Sequence, residues 1–164
     1  MPEASTPANS RERLFEVVID EETVAHPNPS VEHEREVAIF DLLEGNSFQL
    51  NDRDDGPYRL ALSVRDGRLA FDIGNKDVAT LVTHFVPTAH FRRIIKDYFI
   101  VCESYYVAIR SAPASTIQAI DVNRRALHDE GTRILVERLS GKASMDFDTA
   151  RRLFTLVCAL HWKG

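Results

Sequence analysis

Cysteine is scarce in this chain, with only Cys102 and Cys158 among 164 residues. That scarcity excludes a disulfide-stapled scaffold, a C-x-x-C redox pair and a four-cysteine zinc site. Both cysteines lie within apolar helical patterns, so they read as reduced core thiols. Long apolar runs are also missing, and none approaches the ~20 residues that span a bilayer. Met1 to Ser10 has no apolar core and is composed largely of Pro, Ser, Ala and Asn. It reads as a disordered tail and not as a signal peptide. The expected address is the cytoplasm, with residues 1–12 as tail and residues 13–164 as a single α+β domain. An excess of positive charge is lacking too: the net charge is −5, which argues against nucleic acid as a partner.

The charge that is present is unevenly divided. Residues 1–86 carry 8 Lys and Arg against 17 Asp and Glu, a net of −9, whereas residues 87–164 carry 12 against 8, a net of +4. Two layers of one domain that attract each other would account for this division.

Periodicity places the elements. Leu14 to Asp20 alternates, with Phe15, Val17 and Ile19 on one side, as a half-buried strand does. After the His26-Pro27-Asn28-Pro29 break, a helix is expected from Ser30 to about Leu43. Ser30 is its expected N-cap and Ile39, Leu42 and Leu43 its inward face. Tyr58, Leu60, Leu62 and Val64 alternate with polar or small residues, and Asp66-Gly67 then supplies a two-residue hairpin turn. The return strand sets Val64 opposite Leu69, Leu62 opposite Phe71 and Leu60 opposite Ile73. All three pairs are apolar, so the register checks itself. A turn around Asn75-Lys76 is expected to place Val78 opposite Ile73 and to start a third strand. On that strand Val82, His84 and Val86 face the core, and Leu81 and Phe85 face outward in need of cover.

The second half is helical. From Thr88 to Arg110, Phe91, Ile95, Tyr98, Cys102, Tyr105 and Ile109 form an apolar seam, expected to lie across the sheet. A third helix is expected after Pro113, opening on Ser115 and Gln118 in capping-box spacing, with Ile120, Leu127, Ile134 and Leu135 inward. Gly131 sits on that face, where it permits close approach or marks a bend. A last helix, capped by Asp146 or Asp148, carries the stripe Ala150, Leu153, Phe154, Val157 and Leu160, and its end near Trp162 is expected to dock. The fold class is therefore α+β: an antiparallel β-meander plus an N-terminal strand, packed against a layer of helices.

Established catalytic motifs fail on inspection. His33-Glu34-Arg35-Glu36-Val37 begins like the zinc helix H-E-x-x-H but lacks the second histidine. Gly141-Lys142-Ala143 lacks the upstream glycine of a phosphate loop, and neither a G-x-S-x-G elbow nor a G-x-G-x-x-G turn occurs. No cofactor and no metal are implied. His84 reads as a hydrogen-bonded core histidine rather than a ligand. Five ionisable residues remain as candidates for an anionic ligand: Arg92, Lys96 and Glu103 on the long helix, and Arg125 and His128 on the next. The competing account is structural, a ladder in which Arg125 pairs with Asp121 and Asp129. Three Arg-Arg pairs, Arg92-Arg93, Arg124-Arg125 and Arg151-Arg152, would make a phosphate-binding patch if they converged.

Val31 to Arg35, Arg92-Arg93-Ile94-Ile95-Lys96-Asp97-Tyr98, Cys102 to Tyr106, and Asp146 to Phe154 resemble a short bacterial family of unknown function, number two-six-two of the uncharacterised protein family (UPF) series. The resemblance covers most of the chain beyond the tail. It implies a cytosolic bacterial domain and carries over no activity, ligand or catalytic residue. Two functional classes stay open: an interaction or regulatory domain that self-associates as a homo-oligomer or binds another protein, and a binding protein or enzyme for a small anionic ligand.

Overall fold

The structure is a computed structural model that describes residues 11–160. The expectations placed on Met1–Ser10 and on Trp162 lie outside the described residues. Strand β1 (Leu14–Ile19) leads through a 3-10 turn to helix α1 (Pro29–Glu44) and the two-residue strand β2 (Gln49–Leu50). Strands β3 (Tyr58–Arg65), β4 (Arg68–Asn75) and β5 (Val82–Pro87) form the meander. Helices α2 (Ala89–Ser111) and α3 (Ala114–Leu139), strand β6 (Ala143–Ser144) and helix α4 (Phe147–Ala159) follow. The main sheet runs β1-β3-β4-β5, and β2 pairs with β6 in a small second sheet. The fold is α+β.

The hairpin follows its alternation. Val64 faces Leu69, Leu62 faces Phe71 and Leu60 faces Ile73, and Leu60, Leu62, Leu69, Phe71 and Ile73 are all buried. Asp66 and Gly67 both take positive φ, at 53° and 72°, as a type I′ turn requires. Strand β1 lies parallel to β3, and a register shift between Leu14 and Glu16 interrupts their pairing. That bulge breaks the simple alternation. Leu14 and Val17 turn inward, and Phe15 is left half-buried on the other face, with Arg59 and Lys76 over its ring.

The next register differs from expectation. Ile73 pairs with Val82, not Val78, because the Asn75 side chain accepts from the backbone N–H groups of Asp77 and Val78 and closes a longer loop. The displacement is four residues, an even number, so the expected faces survive: Val86 is buried, and Phe85 points outward. Arg68 lies over the Phe85 ring at 4.0 Å, and Leu81 packs against the core. Part of the expected cover is therefore internal.

Among the helices, caps and faces shift from the expectation. Asn28, not Ser30, caps α1, its side chain accepting from the Val31 N–H at 3.0 Å. The buried face of α1 is Val31, Arg35, Ala38 and Leu42, while Leu43 is exposed. Helix α3 begins at Ala114 with Pro113 in the cap position, so the Ser115–Gln118 box does not form. Asp146 caps α4, accepting from the Thr149 N–H at 2.8 Å. Every member of the α4 stripe is buried, and Leu156, Cys158 and Ala159 are buried beside it. The central helix is therefore α4, held by α1 on one side and α3 on the other. Helix α2 pairs chiefly with α3 and touches the sheet at β5, the strand it follows. Gly131 is where α3 meets α4: a Cβ there would overlap the Phe154 ring. Among the described residues no helix is long and apolar enough to cross a membrane.

Candidate functional site

One face of α4 escapes the apolar pattern. Asp148, Arg151, Arg152 and Thr155 recur at helical spacing along it, opposite the stripe that enters the core. They meet Arg124, Arg125 and His128 of α3, with Tyr98 of α2 at the side, around a cleft of about 400 Å³. Two of the three Arg-Arg pairs thus converge. Each pair splits across two faces of its own helix, yet the crossing of α3 and α4 gathers all four guanidinium groups. The third pair stays apart, Arg92 lining a different cleft and Arg93 lying almost fully exposed.

The arginines are held by partners of their own. Asp121 pairs with Arg124 at 2.5 Å and with Arg125 at 3.1 Å, and Arg124 also lies 4.0 Å over the Tyr105 ring. Arg152 donates to the Gly45 carbonyl at 2.6 Å. Arg151 Nε lies 3.3 Å from Asp129 Oδ1, an ion pair without hydrogen-bond alignment. A guanidinium has five N–H donors in a fixed fork, so these contacts leave donors over on every arginine. The expected Arg125–Asp129 rung is replaced by Arg151–Asp129, which joins α3 to α4 instead of bracing α3 alone.

His128 forms the inner wall, buried between Tyr98 and Phe154 with ring centroids 5.4 and 5.2 Å away. Its Nε2 lies 2.8 Å from Thr155 Oγ1, and the Thr155 hydroxyl donates to the Arg151 carbonyl at 3.1 Å. The His128–Thr155 hydrogen bond fixes the plane of the ring, and Nδ1 is buried with no partner among the described residues. Burial holds the His128 pKa below its ordinary 6.5, and the Arg151 cation adds to that effect against Asp129.

The five residues expected from sequence divide among three clefts. Arg125 and His128 share the arginine cleft. Arg92 and Lys96 line a mostly apolar one of about 560 Å³ between α2 and the β1–α1 connection. Glu103 lines a third of about 520 Å³, where Glu34 and Asp41 of α1 stand across from it. Asp148 and Thr155 were not singled out, although with Arg151 they stand at i, i+3 and i+7 on the polar face of α4; Tyr98 of α2 reads from sequence only as part of an apolar seam. Arg35, which the sequence does not single out, is 3% exposed. It donates to the Ala159 carbonyl at 2.6 Å, to that of Leu160 at 2.7 Å, and to that of Ala25.

Metal-ligating types gather once among the described residues, at exposed Glu21, His26 and Glu32. Both ring nitrogens of His26 are already engaged there, Nδ1 with Glu32 at 3.0 Å and Nε2 with the Glu21 carbonyl at 2.6 Å. These contacts, the backbone one foremost, raise the His26 pKa above 6.5. His84 on β5 is half-buried, and burial lowers its pKa. Cys102 and Cys158 are free thiols, pushed up in pKa by burial.

No solved structure matches the chain. Its sequence is 55% identical over 156 residues to UPF0262 protein mll6455 of Mesorhizobium japonicum, covering 94% of this chain and 96% of that protein. It is 57% identical over 152 residues to UPF0262 protein R00612 of Rhizobium meliloti, covering 93% and 96%. It is 51% identical over 160 residues to a UPF0262 protein of Rhodopseudomonas palustris, covering 98% of each. The model of the uncharacterised protein family UPF0262 matches residues 11–163, and the chain belongs to that family.

Proposed function

We propose that the protein binds a small polyanion, phosphorylated or polycarboxylate, in the arginine cleft between α3 and α4. The observation that carries this reading is the convergence of Arg124-Arg125 and Arg151-Arg152 on one cleft whose wall is the His128–Thr155 pair. Planar guanidinium forks match phosphate and carboxylate oxygens two bonds at a time, and rigid pairing to Asp121 and Asp129 lowers the ordering cost of a bound anion. We read the role as binding, since His128 Nδ1 has no orienting partner among the described residues. Calorimetric titration with phosphate, pyrophosphate and citrate tests it. Pyrophosphate or citrate should bind at one site, and R125A/R152A should weaken that binding at least tenfold without lowering thermal stability. No heat with any of the three anions, or an unchanged affinity in R125A/R152A, rejects the reading.

A second reading, self-association, draws on β5 being a sheet edge with Phe85 exposed beside it and on apolar residues exposed along α2. Light scattering of the wild type beside F85E tests it, and a wild-type monomer at high concentration rejects it.

A further inference from the structure

We infer that the cleft between α2 and the β1–α1 connection binds a free straight-chain carboxylate, its head on Arg92 and Lys96 and its hydrocarbon along Ile95 and Ile100. The site shares no lining residue with the arginine cleft, so the inference stands apart from the polyanion reading. Its walls are mostly apolar and its volume of about 560 Å³ falls within the range of small-molecule sites. Arg92 and Lys96 stand one helical turn apart at its rim. Arg92 makes one weak contact, to Thr88 Oγ1 at 3.4 Å, and among the described residues neither cation has a carboxylate partner. What sets these two cations apart is their place, one helical turn apart beside the apolar lining of a single cleft.

The opposite wall is Ala25 and Pro27, in a segment tied to α1 by the Arg35 bond to the Ala25 carbonyl. Cys158 closes the base as a neutral thiol. A bare phosphate would satisfy the two cations and leave the hydrocarbon walls wet, whereas a chain with one anionic end covers both. An anionic bilayer surface is the less suitable source of the same chemistry, because the net charge of −5 repels it.

Titration of the full chain with monomeric decanoate, with decanol as the neutral partner of equal length, tests the inference. Decanoate should bind one to one and at least tenfold more tightly than decanol. R92A/K96A should weaken decanoate at least tenfold and leave decanol unchanged, and I100E should weaken both. All three positions are exposed, so melting temperatures near wild type will show that the variants fold. R125A/R152A should retain decanoate affinity even where pyrophosphate binding is lost. Equal affinity for decanoate and decanol, indifference to R92A/K96A, or binding to anionic vesicles without binding to monomeric decanoate overturns the inference.

Discussion

Helices α2 and α4 both carry a clear apolar stripe, yet they end in opposite environments. Along α4 the stripe and the positions beside it are buried, from Thr149 and Ala150 to Leu160. On α2 burial is confined to Phe91, Ile94, Ile95 and, far along, Ala108. Ile100, Tyr106, Val107 and Ile109 are all exposed. The difference lies in neighbours. Helix α4 has α1 and α3 beside it, whereas α2 leans chiefly on α3 and touches the sheet at β5. Amphipathicity says that a face will be covered; it does not say whether this chain supplies the cover. Where α2 and α4 face each other the cover is incomplete, and the clefts open there.

The sharpest way to break this contrast is at Phe154. Its ring packs against Phe91 and His128 and fills the space that Gly131 leaves. Phe154→Ala should cost about 3–5 kcal/mol in chemical denaturation, the range for emptying a tightly packed aromatic site. A loss below about 1 kcal/mol would mean that α4 is not the keystone. Gly131→Ala should also destabilise, by about 1–3 kcal/mol through overpacking, and Phe154→Leu in the same chain should recover part of that loss.

Next in size is Arg35. It fastens the end of α4 to α1 by satisfying carbonyls that the helix terminus leaves open. Arg35→Met keeps much of the volume and removes the donors, so it should cost about 2–3 kcal/mol, as charge-assisted bonds to buried acceptors do. A neutral result would show that water replaces the guanidinium there. Its side chain was not legible as a core member, since an arginine in a charged run reads as surface. Only the tertiary meeting of α1 with the end of α4 gives it partners.

Other features divide the same way between local and tertiary causes. The β3–β4 register was legible because a period of two and an Asp-Gly turn are both local, and each constrains the other. The start of β5 was not, because a side chain, Asn75, sets the loop length. The bulge in β1 was likewise invisible in the alternation. Of the arginine cleft, the residue pairs were visible, but their convergence depends on how α3 crosses α4 at Gly131.

His128 sharpens the comparison through pH. It is the titratable wall between the α2 and α4 faces, surrounded by Tyr98, Arg151 and Asp129. Its pKa is depressed on folding, so between the folded value and 6.5 the unfolded chain binds more protons. Its contribution to stability is therefore fully present above 6.5 and is lost as pH falls through the interval below. Denaturation midpoints measured from pH 7.5 to 5.5 should decline more in the wild type than in His128→Gln. Parallel profiles would refute the assignment. His26, raised on folding, acts with the opposite sign and is common to both proteins.

The smallest effect on stability is expected where α2 leaves the fold. Val107 and Ile109 are 59% and 49% exposed, so little apolar area is returned to water when either is replaced. Val107→Lys and Ile109→Lys should each change stability by no more than about 0.5 kcal/mol, against several for Phe154→Ala. Two helices with similar apolar periodicity would then differ by an order of magnitude in what the pattern contributes to folding. If Val107→Lys costs as much as a core substitution, this part of α2 is buried in solution by something absent from the isolated chain. A second copy is the first partner to examine. Sedimentation of the wild type and of Val107→Lys over a hundredfold concentration range separates the cases: a shared monomer mass leaves the surface uncovered, and a mass halved by the lysine identifies a dimer interface.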